Sequence, residues 1–416
     1  MKPLLPAFAG ISPDSATELA PVSGGILVLN AGSSGMKFAV FAAGGAKAER
    51  LVRGEVECLG ERPRLQARDP QGRVLMEREF TLTPPEEIRA SAVQILMDWL
   101  DTHADIGDIR AVGHRVVHGG PDFARPVLID DATLMRLEDL TPLAPMHQPA
   151  CLAPVHALRR ARPALPQVAC FDTAFHRTMP AVAQMLPLPH RYGAKGIRRY
   201  GFHGLSYEHI ARSLNQPDRD WPGARIVAAH IGNGASLCAL HHGVSMDTTM
   251  GFSVLDGLVM GTRSGTIDPG VLLYMLNEER LTPTEVEDIL YHRAGLLGVS
   301  GRSGDMRVLR AHMHDPAVRM ALDLAVYRFA QQVGAMVAVL DGVDGIVFTG
   351  GIGEHDAAFR RDVCTRLAWL GVALDGAANE THRPLVSTPD SAVQVHVIAA
   401  DEEASIHRHV LACIAQ

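Results

Sequence analysis

The chain has 416 residues, 47% of them hydrophobic and 20% charged, with a formal net charge of −7; that is enough apolar material for a full core and enough length for two domains. The acidic balance and the lack of any Lys/Arg run argue against a nucleic-acid partner, and no uncharged apolar run reaches the roughly 18 residues that a membrane span needs. Cys58, Cys151, Cys170, Cys238, Cys364 and Cys413 form no C-x-x-C pair, a usage expected of reduced core thiols in a cytoplasmic protein.

In chain order, residues 1–24 carry one Lys and a proline-broken apolar patch, a poor signal peptide and a loosely ordered extension. Residues 26–38, ILVLNAGSSGMKF, read as strand, glycine-containing turn and strand. The turn is no Walker loop, because Lys37 does not directly follow a glycine and Phe38 stands where a hydroxyl is needed. Ser33, Ser34, Lys37 and the backbone N–H groups of such a turn are nonetheless donors for phosphate; taken alone, the motif reads first as a plain hairpin. Thr83, Pro84 and Glu86 open a helix with Ile88, Ala92, Ile95, Leu96 and Trp99 on one face.

Strands are expected at 111–117 and 167–171. His114 and His118 sit at HRVVH spacing, but the motif lacks the Glu of HExxH and a third ligand, so no metal site is expected. IVAAHIGNGASLCAL (226–240) aligns under ILVLNAGSSGMKFAV (26–40) at an offset of 200 residues, with Gly232 under Gly32, which suggests a duplicated hairpin. Thr282, Pro283 and Glu285 repeat the capping device, and Asp315-Pro316 opens a helix over 318–340. Its Met320–Leu340 part carries Asp323 and Arg328, and reads as a buried helix. Residues 346–348 form a short strand that places Gly350, Gly351 and Gly353 at a strand-to-loop junction, and a last strand follows at 393–399. His241, His242, His407 and His409 read as exposed. Strands interspersed with helices imply layered α/β domains.

Four further segments set polar side chains in apolar or glycine-rich context: VGHRVVHGG (112–120), FDTAFHRTMP (171–180), RYGFHGLS (199–206) and MGTRSGTIDPG (260–270). Singly, each has a bland explanation: Arg115 can pair with a nearby carboxylate, and Arg263 can simply be solvated.

Together with LAPMHQPA, AHIGNGAS, MDTTMGFSVLDGLV, VFTGGIGEHD and DEEASI, these segments resemble the acetate kinase family of short-chain carboxylate kinases, in order from about Gly25 to the C-terminus. The resemblance implies an α/β fold of two duplicated actin-like ATPase (ribonuclease H-like) domains around a central cleft. The boundaries are then 25–172 plus 403–416 for the N-terminal domain and 173–402 for the C-terminal, nucleotide-binding one. It also implies a cytoplasmic homodimer that uses ATP/ADP and Mg²⁺, with Mn²⁺ as an alternative, to phosphorylate a small carboxylate. By matching position, Asn30, Ser33, Ser34 and Lys37 belong to the first phosphate-side loop, and His230, Asn233 and Gly234 to the second. Asp305, Met306 and Arg307, with Gly350, Gly351, Ile352 and Gly353, lie on the adenosine side. Arg115, Asp172, His203, Arg263 and Glu402 form the catalytic set, Asn30 and Glu402 stand toward the metal, and Arg115, Val117, Met146, Phe202 and Val254 line the acyl pocket. The chain departs from the family pattern at Gly35, where a hydroxyl residue is usual, and at Val254, where proline is usual.

The chemistry fits those residue types. A carboxylate with a pKa of about 4 is already ionised at neutral pH, so its attack on phosphorus needs no base. The obstacle is electrostatic, and arginine forks with a divalent cation answer it; each close charge contact is worth about 4 kcal/mol at an effective dielectric of about 20, before desolvation. His203 is then a hydrogen-bond donor, Glu402 a hard oxygen near Mg²⁺, and Asp172 a holder of metal-bound water or of an arginine. Two rivals are an actin-like ATPase module that ignores carboxylates and a sugar kinase, which needs an Asp base and a polar pocket; propionate or butyrate kinase is the alternative within the family.

Overall fold

The computed structural model of the chain describes residues 24–32, 35–44, 49–57, 64–79, 85–103, 106, 108–215 and 225–415, without the side chains of 85–89. The expected extension up to residue 23, Ser33, Ser34, Cys58, Thr83, Pro84 and the side chains of Glu86 and Ile88 lie outside the described residues.

Strands β1 (Gly25–Ala31), β2 (Gly35–Ala42), β3 (Arg50–Glu57), β4 (Arg64–Arg68), β5 (Val74–Glu79), β6 (Ile109–Val116), β7 (Val127–Leu128) and β8 (Gln167–Phe171) form one sheet in the order β5-β4-β3-β2-β1-β6-β8-β7. Strands β9 (Arg225–Ile231), β10 (Ala235–His241), β11 (Val244–Thr248), β12 (Gly345–Thr349) and β13 (Gln394–Val397) form a second, ordered β11-β10-β9-β12-β13. In each, an antiparallel meander (β1-β2-β3, β9-β10-β11) continues into two parallel strands (β6-β8, β12-β13). One topology therefore occurs twice, which accounts for the repeat at an offset of 200. The hairpins differ in one respect: Ala31 pairs with Met36 but Ile231 with Ala235, so the first apex is one residue longer.

The apolar run of β1 reflects its central place. Leu27 and Leu29 point into one cluster with Val93, Leu96 and Leu158, whereas Ile26 and Val28 point into another with Ile406 and Val410, as the period of two along a strand requires. The helices that supply these partners are α1 (Pro85–Leu100) and α2 (Gln148–Ala161) on one face; α3 (Gly204–Leu214), α4 (Pro283–Asp288), α5 (Met306–Arg310), α6 (Pro316–Leu340) and α7 (Gly350–His355) follow, and α8 (Glu402–Ile414) returns to the other face. Helix α4 has its capping box: Thr282 N–H donates to the Glu285 carboxylate at 2.8 Å and Glu285 N–H to the Thr282 hydroxyl at 3.3 Å. Among the described residues no helix is long and apolar enough to cross a membrane.

The structure corrects several expectations. Helix α1 buries Ala92, Val93, Leu96, Met97 and Leu100, leaving Ile95 and Trp99 half-buried; the stripe is rotated toward the sheet. Helix α6 is amphipathic rather than buried all round, with Asp323 and Arg328 on its exposed face. Gly350, Gly351 and Gly353 begin a short helix instead of a loop. His407 is buried and stacked on Phe41 at 4.6 Å. The strands β3, β4, β5, β7 and β11 were not legible in sequence: they are short or mix charged residues into the run.

Helix α8 sits close enough to β6 to require glycine there: a Cβ at Gly113 would stand 2.4 Å from Ile406 Cγ2 and 2.6 Å from Val410 Cγ2. Gly113→Ala is therefore expected to lose about 1–3 kcal/mol by overpacking, read as a lower urea midpoint. An unchanged midpoint would show that the helix seats with slack.

Candidate active site

The two hairpin apices, the start of α7 and the start of α8 converge on a cleft of about 680 Å³ lined by Asn30, Lys37, Arg115, His147, His203, His230, Asn233, Gly234, Arg263, Gly350, Gly351, Glu354, Glu402 and Glu403, among others. Parallel strands β6 and β8 carry Arg115 and Cys170 side by side, which brings Asp172, one residue past the end of β8, within reach of the arginine. Arg115 Nη2 lies 2.5 Å from Asp172 Oδ2 and its Nε 3.0 Å from both carboxylate oxygens. Burial opposes the Arg115 charge, but Asp172 and Glu402 outweigh it and raise its pKa. Burial drives the Asp172 carboxyl upward while Arg115 pulls it back. Of the two roles expected for Asp172, the geometry shows the holding of an arginine.

Asn30, at the end of β1, donates through Nδ2 to Glu402 at 2.7 Å and Glu403 at 3.1 Å, and its Oδ1 accepts from Arg115 at 3.4 Å. Burial works against ionisation of Glu402, but Arg115, His230 and Asn30 hold its carboxyl below the usual range. Glu403 goes the other way, pushed up by burial and by Glu402. Among the described residues no group of three or more His, Cys, Asp or Glu can share a metal ion.

The segment 199–206 is shaped by two glycines. A Cβ at Gly201 would press on the His176 ring at 2.6 Å, and one at Gly204 would meet the Asp172 carbonyl oxygen at 2.2 Å. Between them His203 adopts the left-handed conformation with φ 59°, a strained backbone for a residue with a Cβ. Its ring stacks on His230 at 4.3 Å. Burial, then His230, Arg115 and Arg263, lower its pKa well below the usual value. His147, at the start of α2, is brought to about 4 by burial, then by Arg263 and Arg115.

Arg263 differs from Arg115. Its Nη1 donates to the Val254 carbonyl at 3.1 Å and meets Met260 Sδ at 3.7 Å, with no carboxylate in salt-bridge reach among the described residues. Burial, and then Arg115, lower its pKa. A Cβ on Gly234 would stand 3.4 Å from Arg263 Nη2 and 3.5 Å from His203 Nε2, so the second apex faces both groups with bare backbone. Asn233 is exposed at that apex and Lys37 on β2, paired across the hairpin with Asn30.

Other expected residues lie further off. Met306 and Ile352 line a smaller apolar cavity of about 30 Å³ with Phe329 and Phe359. Asp305 caps α5 and pairs with the exposed Arg307 at 2.7 Å, while Gly353 is buried and its carbonyl accepts from Arg360 at 2.8 Å. Val117, Phe202 and Val254 share one buried cluster; Met146 is 41% exposed, outside both that cluster and the residues lining the cleft. Sequence reasoning gave no role to His147, Glu354 or Glu403. Glu354 accepts from the N–H of Gly350 at 2.9 Å and of Ala400 at 3.0 Å. All three lie in segments already singled out, next to residues that drew the attention.

The acetokinase family profile matches residues 25–408. An acetate kinase of Nitrobacter hamburgensis is 48% identical over 390 residues, covering 94% of this chain and 96% of its own. One of Rhodopseudomonas palustris is 46% identical over 392 residues, covering 92% and 97%. Among solved structures, a propionate kinase of Francisella tularensis matches with a TM-score of 0.84 at 34% identity, over 93% of this chain and 98% of that one. The acetate kinase of Porphyromonas gingivalis gives 0.82 at 36%, over 94% and 100%.

His176 ties the site to stability. Its Nε2 lies 2.9 Å from the Phe202 carbonyl, which can only accept, so Nδ1 accepts from Ser245 Oγ at 2.9 Å. Burial opposes a second proton and lowers the pKa to about 4. With the unfolded value near 6.5, the contribution to stability is complete above about pH 6.5 and disappears as pH falls through about 4, an effect of about 3 kcal/mol. Denaturant midpoints are expected to fall over that window, and less steeply in His176→Gln; equal slopes in the two proteins would contradict this.

Proposed function

The chain belongs to the acetokinase family, and we propose that it transfers the γ-phosphoryl group of ATP reversibly to acetate, giving acetyl phosphate and ADP by direct in-line displacement. The observation that carries this reading is Arg263, a half-buried guanidinium without a carboxylate partner among the described residues, beside the bare backbone of Gly234 and within the field of Arg115. Such a cation is electrostatically incomplete until an anion arrives.

The residues divide the task. Arg115, fixed by Asp172, offers Nη1 toward the substrate carboxylate; Arg263 binds the carboxylate and the phosphoryl oxygens as charge spreads over them. His203, kept neutral, donates a hydrogen bond rather than taking a proton, since the nucleophile has none to give. The N–H groups of the hairpin apices and Lys37 orient the phosphates, and Ser33 and Ser34 are proposed to join them. Asp305, Met306, Arg307, Gly350, Gly351, Ile352 and Gly353 form the adenosine side, supported by the apolar cavity against Met306 and Ile352. Glu402 fits a hard divalent cation as a single carboxylate that leaves the other positions to water and phosphate. Asn30, with Nδ2 committed to Glu402 and Glu403, orients those carboxylates and offers only Oδ1. Bound there, Mg²⁺ or Mn²⁺ neutralises phosphate charge.

Val117, Phe202 and Val254 are proposed as the acyl wall, supported by their shared buried cluster and by the hydrogen bond that joins the Val254 carbonyl to Arg263; Met146, exposed outside that cluster, is left out of it. The division into 25–172 plus 403–416 and 173–402 belongs to the same reading, supported by the return of α8 to the first sheet. The family resemblance supports a cytoplasmic homodimer.

A second reading, propionate as an equal substrate, is favoured by Val254 where the family has proline: the loop is freer, and one buried methylene is worth only about 0.8 kcal/mol. A hydroxamate-coupled assay over acetate, propionate and butyrate tests both. Comparable kcat/KM is expected for the first two, with Val254→Pro shifting the ratio toward acetate; a preference for acetate above about 100-fold excludes the second reading. In the same assay Arg263→Ala is expected to lose about 10³-fold or more in kcat while folded, with little recovery in Arg263→Lys. Retained activity would remove Arg263 from the transfer step.

A further inference from the structure

Among the described residues, the His203 ring is held by a side chain rather than by the backbone. Its Nδ1 lies 2.8 Å from Ser236 Oγ, and Ser236 Oγ lies 2.6 Å from the Tyr207 hydroxyl. Ser236 stands on β10, next to the second apex, and Tyr207 on α3, one turn after His203. Both are fully buried, so solvent does not complete their hydrogen bonding.

Counting protons fixes the direction of this chain. A phenol carries one proton, and among the described residues Ser236 Oγ is its acceptor; burial raises the Tyr207 pKa well above the usual value, so the proton stays. Having accepted it, Ser236 must place its own proton, and the remaining acceptor is the lone pair on His203 Nδ1. Nδ1 is then bare and the neutral imidazole carries its proton on Nε2. The reverse arrangement, with Nδ1–H donating to Ser236 and Ser236 to Tyr207, leaves a buried phenol proton without an acceptor. An imidazolium fails in the same way, and it would also face the stacked His230 ring and two arginines. The Nε2 side is the one toward Gly234 and Arg263.

We propose that Tyr207 and Ser236 are positioning residues for phosphoryl transfer: their hydroxyls form a one-way donor chain that fixes His203 as the Nε2–H tautomer, a donor aimed at the space beside Arg263. The tautomer follows from the hydrogen-bond geometry and the proton count, whereas its use on a phosphoryl oxygen rests on the carboxylate-kinase reading. Neither hydroxyl touches substrate; each acts through the histidine.

The test reads the tautomer and the chemistry separately. In protein labelled with ¹⁵N-histidine, the His203 signals are those lost in His203→Gln, and long-range ¹H–¹⁵N correlations report which nitrogen carries the proton. Wild type is expected to show Nε2–H with an unprotonated Nδ1. Ser236→Ala is expected to shift His203 toward the other tautomer and to lower kcat by about 10- to 100-fold with KM for ATP changed by less than about 3-fold. Tyr207→Phe, which removes one oxygen atom, is expected to do the same to a lesser degree. The double variant should be no worse than Ser236→Ala, since the two act in series. A proton on Nδ1 in wild type, or a Ser236→Ala protein with unchanged tautomer and kcat, overturns the proposal. Should the tautomer respond as stated while no carboxylate is phosphorylated by wild type, the kinase reading and the transfer role fall together and the donor chain stands.

Discussion

The pairing of Arg115 with Asp172 sets the electrostatics of the cleft. A guanidinium on a central strand would be prohibitively desolvated without a partner, and removing one member of such a pair typically costs about 3–5 kcal/mol. Parallel pairing of β6 and β8 provides the partner by placing Cys170 opposite Arg115 and Asp172 just beyond. With Arg115 thus compensated on one edge, its other edge reaches Asn30 and through it Glu402 and Glu403. Positive and negative charge are laid out across the cleft floor before any ligand arrives, and among the described residues the Arg263 guanidinium meets no carboxylate. A site built in this way contributes fixed charge that needs no reorganisation during transfer.

The duplicated topology explains why these groups meet. Each sheet ends a central hairpin at the cleft, and each apex presents glycine where a side chain would fill the space. The second apex admits Arg263 and His203 against Gly234; the first, one residue longer, lies beside Asn30 and Lys37. Helix α8 closes the arrangement from the other face, its seat on Gly113 fixing where Glu402 emerges.

The hairpins, the long helix and the strands at 167–171 and 346–348 could be read directly, because buried central strands are continuous apolar runs and capped helices announce their first turn. Strands β3, β4 and β5, which lead out to one edge of the first sheet, could not, since a strand with one wet face and charged residues has no such signature. In the site, family resemblance assembled residues that spacing alone left ambiguous: Arg115 had an equally good bland explanation, and its pairing with Asp172 is a fact of strand register. Glu354 and His147 escaped notice because their roles, tying α7 to Ala400 and opening α2 beside two arginines, depend on tertiary neighbours. The orientation of His203 was likewise invisible, as Ser236 and Tyr207 flank it only after folding.

The central claim is that the protein supplies fixed charge and neutral donors while the substrate carboxylate itself attacks phosphorus. Three of the carboxylates that line the cleft are engaged, Glu402 and Glu403 by Asn30 and Glu354 by two backbone N–H groups, and His203 is a donor rather than a nucleophile. The steric course of transfer from ATP made chiral at the γ-phosphorus with oxygen isotopes tests this most directly. A single in-line displacement predicts inversion of configuration in the acyl phosphate; retention, which requires two displacements through a phosphorylated residue of the protein, would contradict the account.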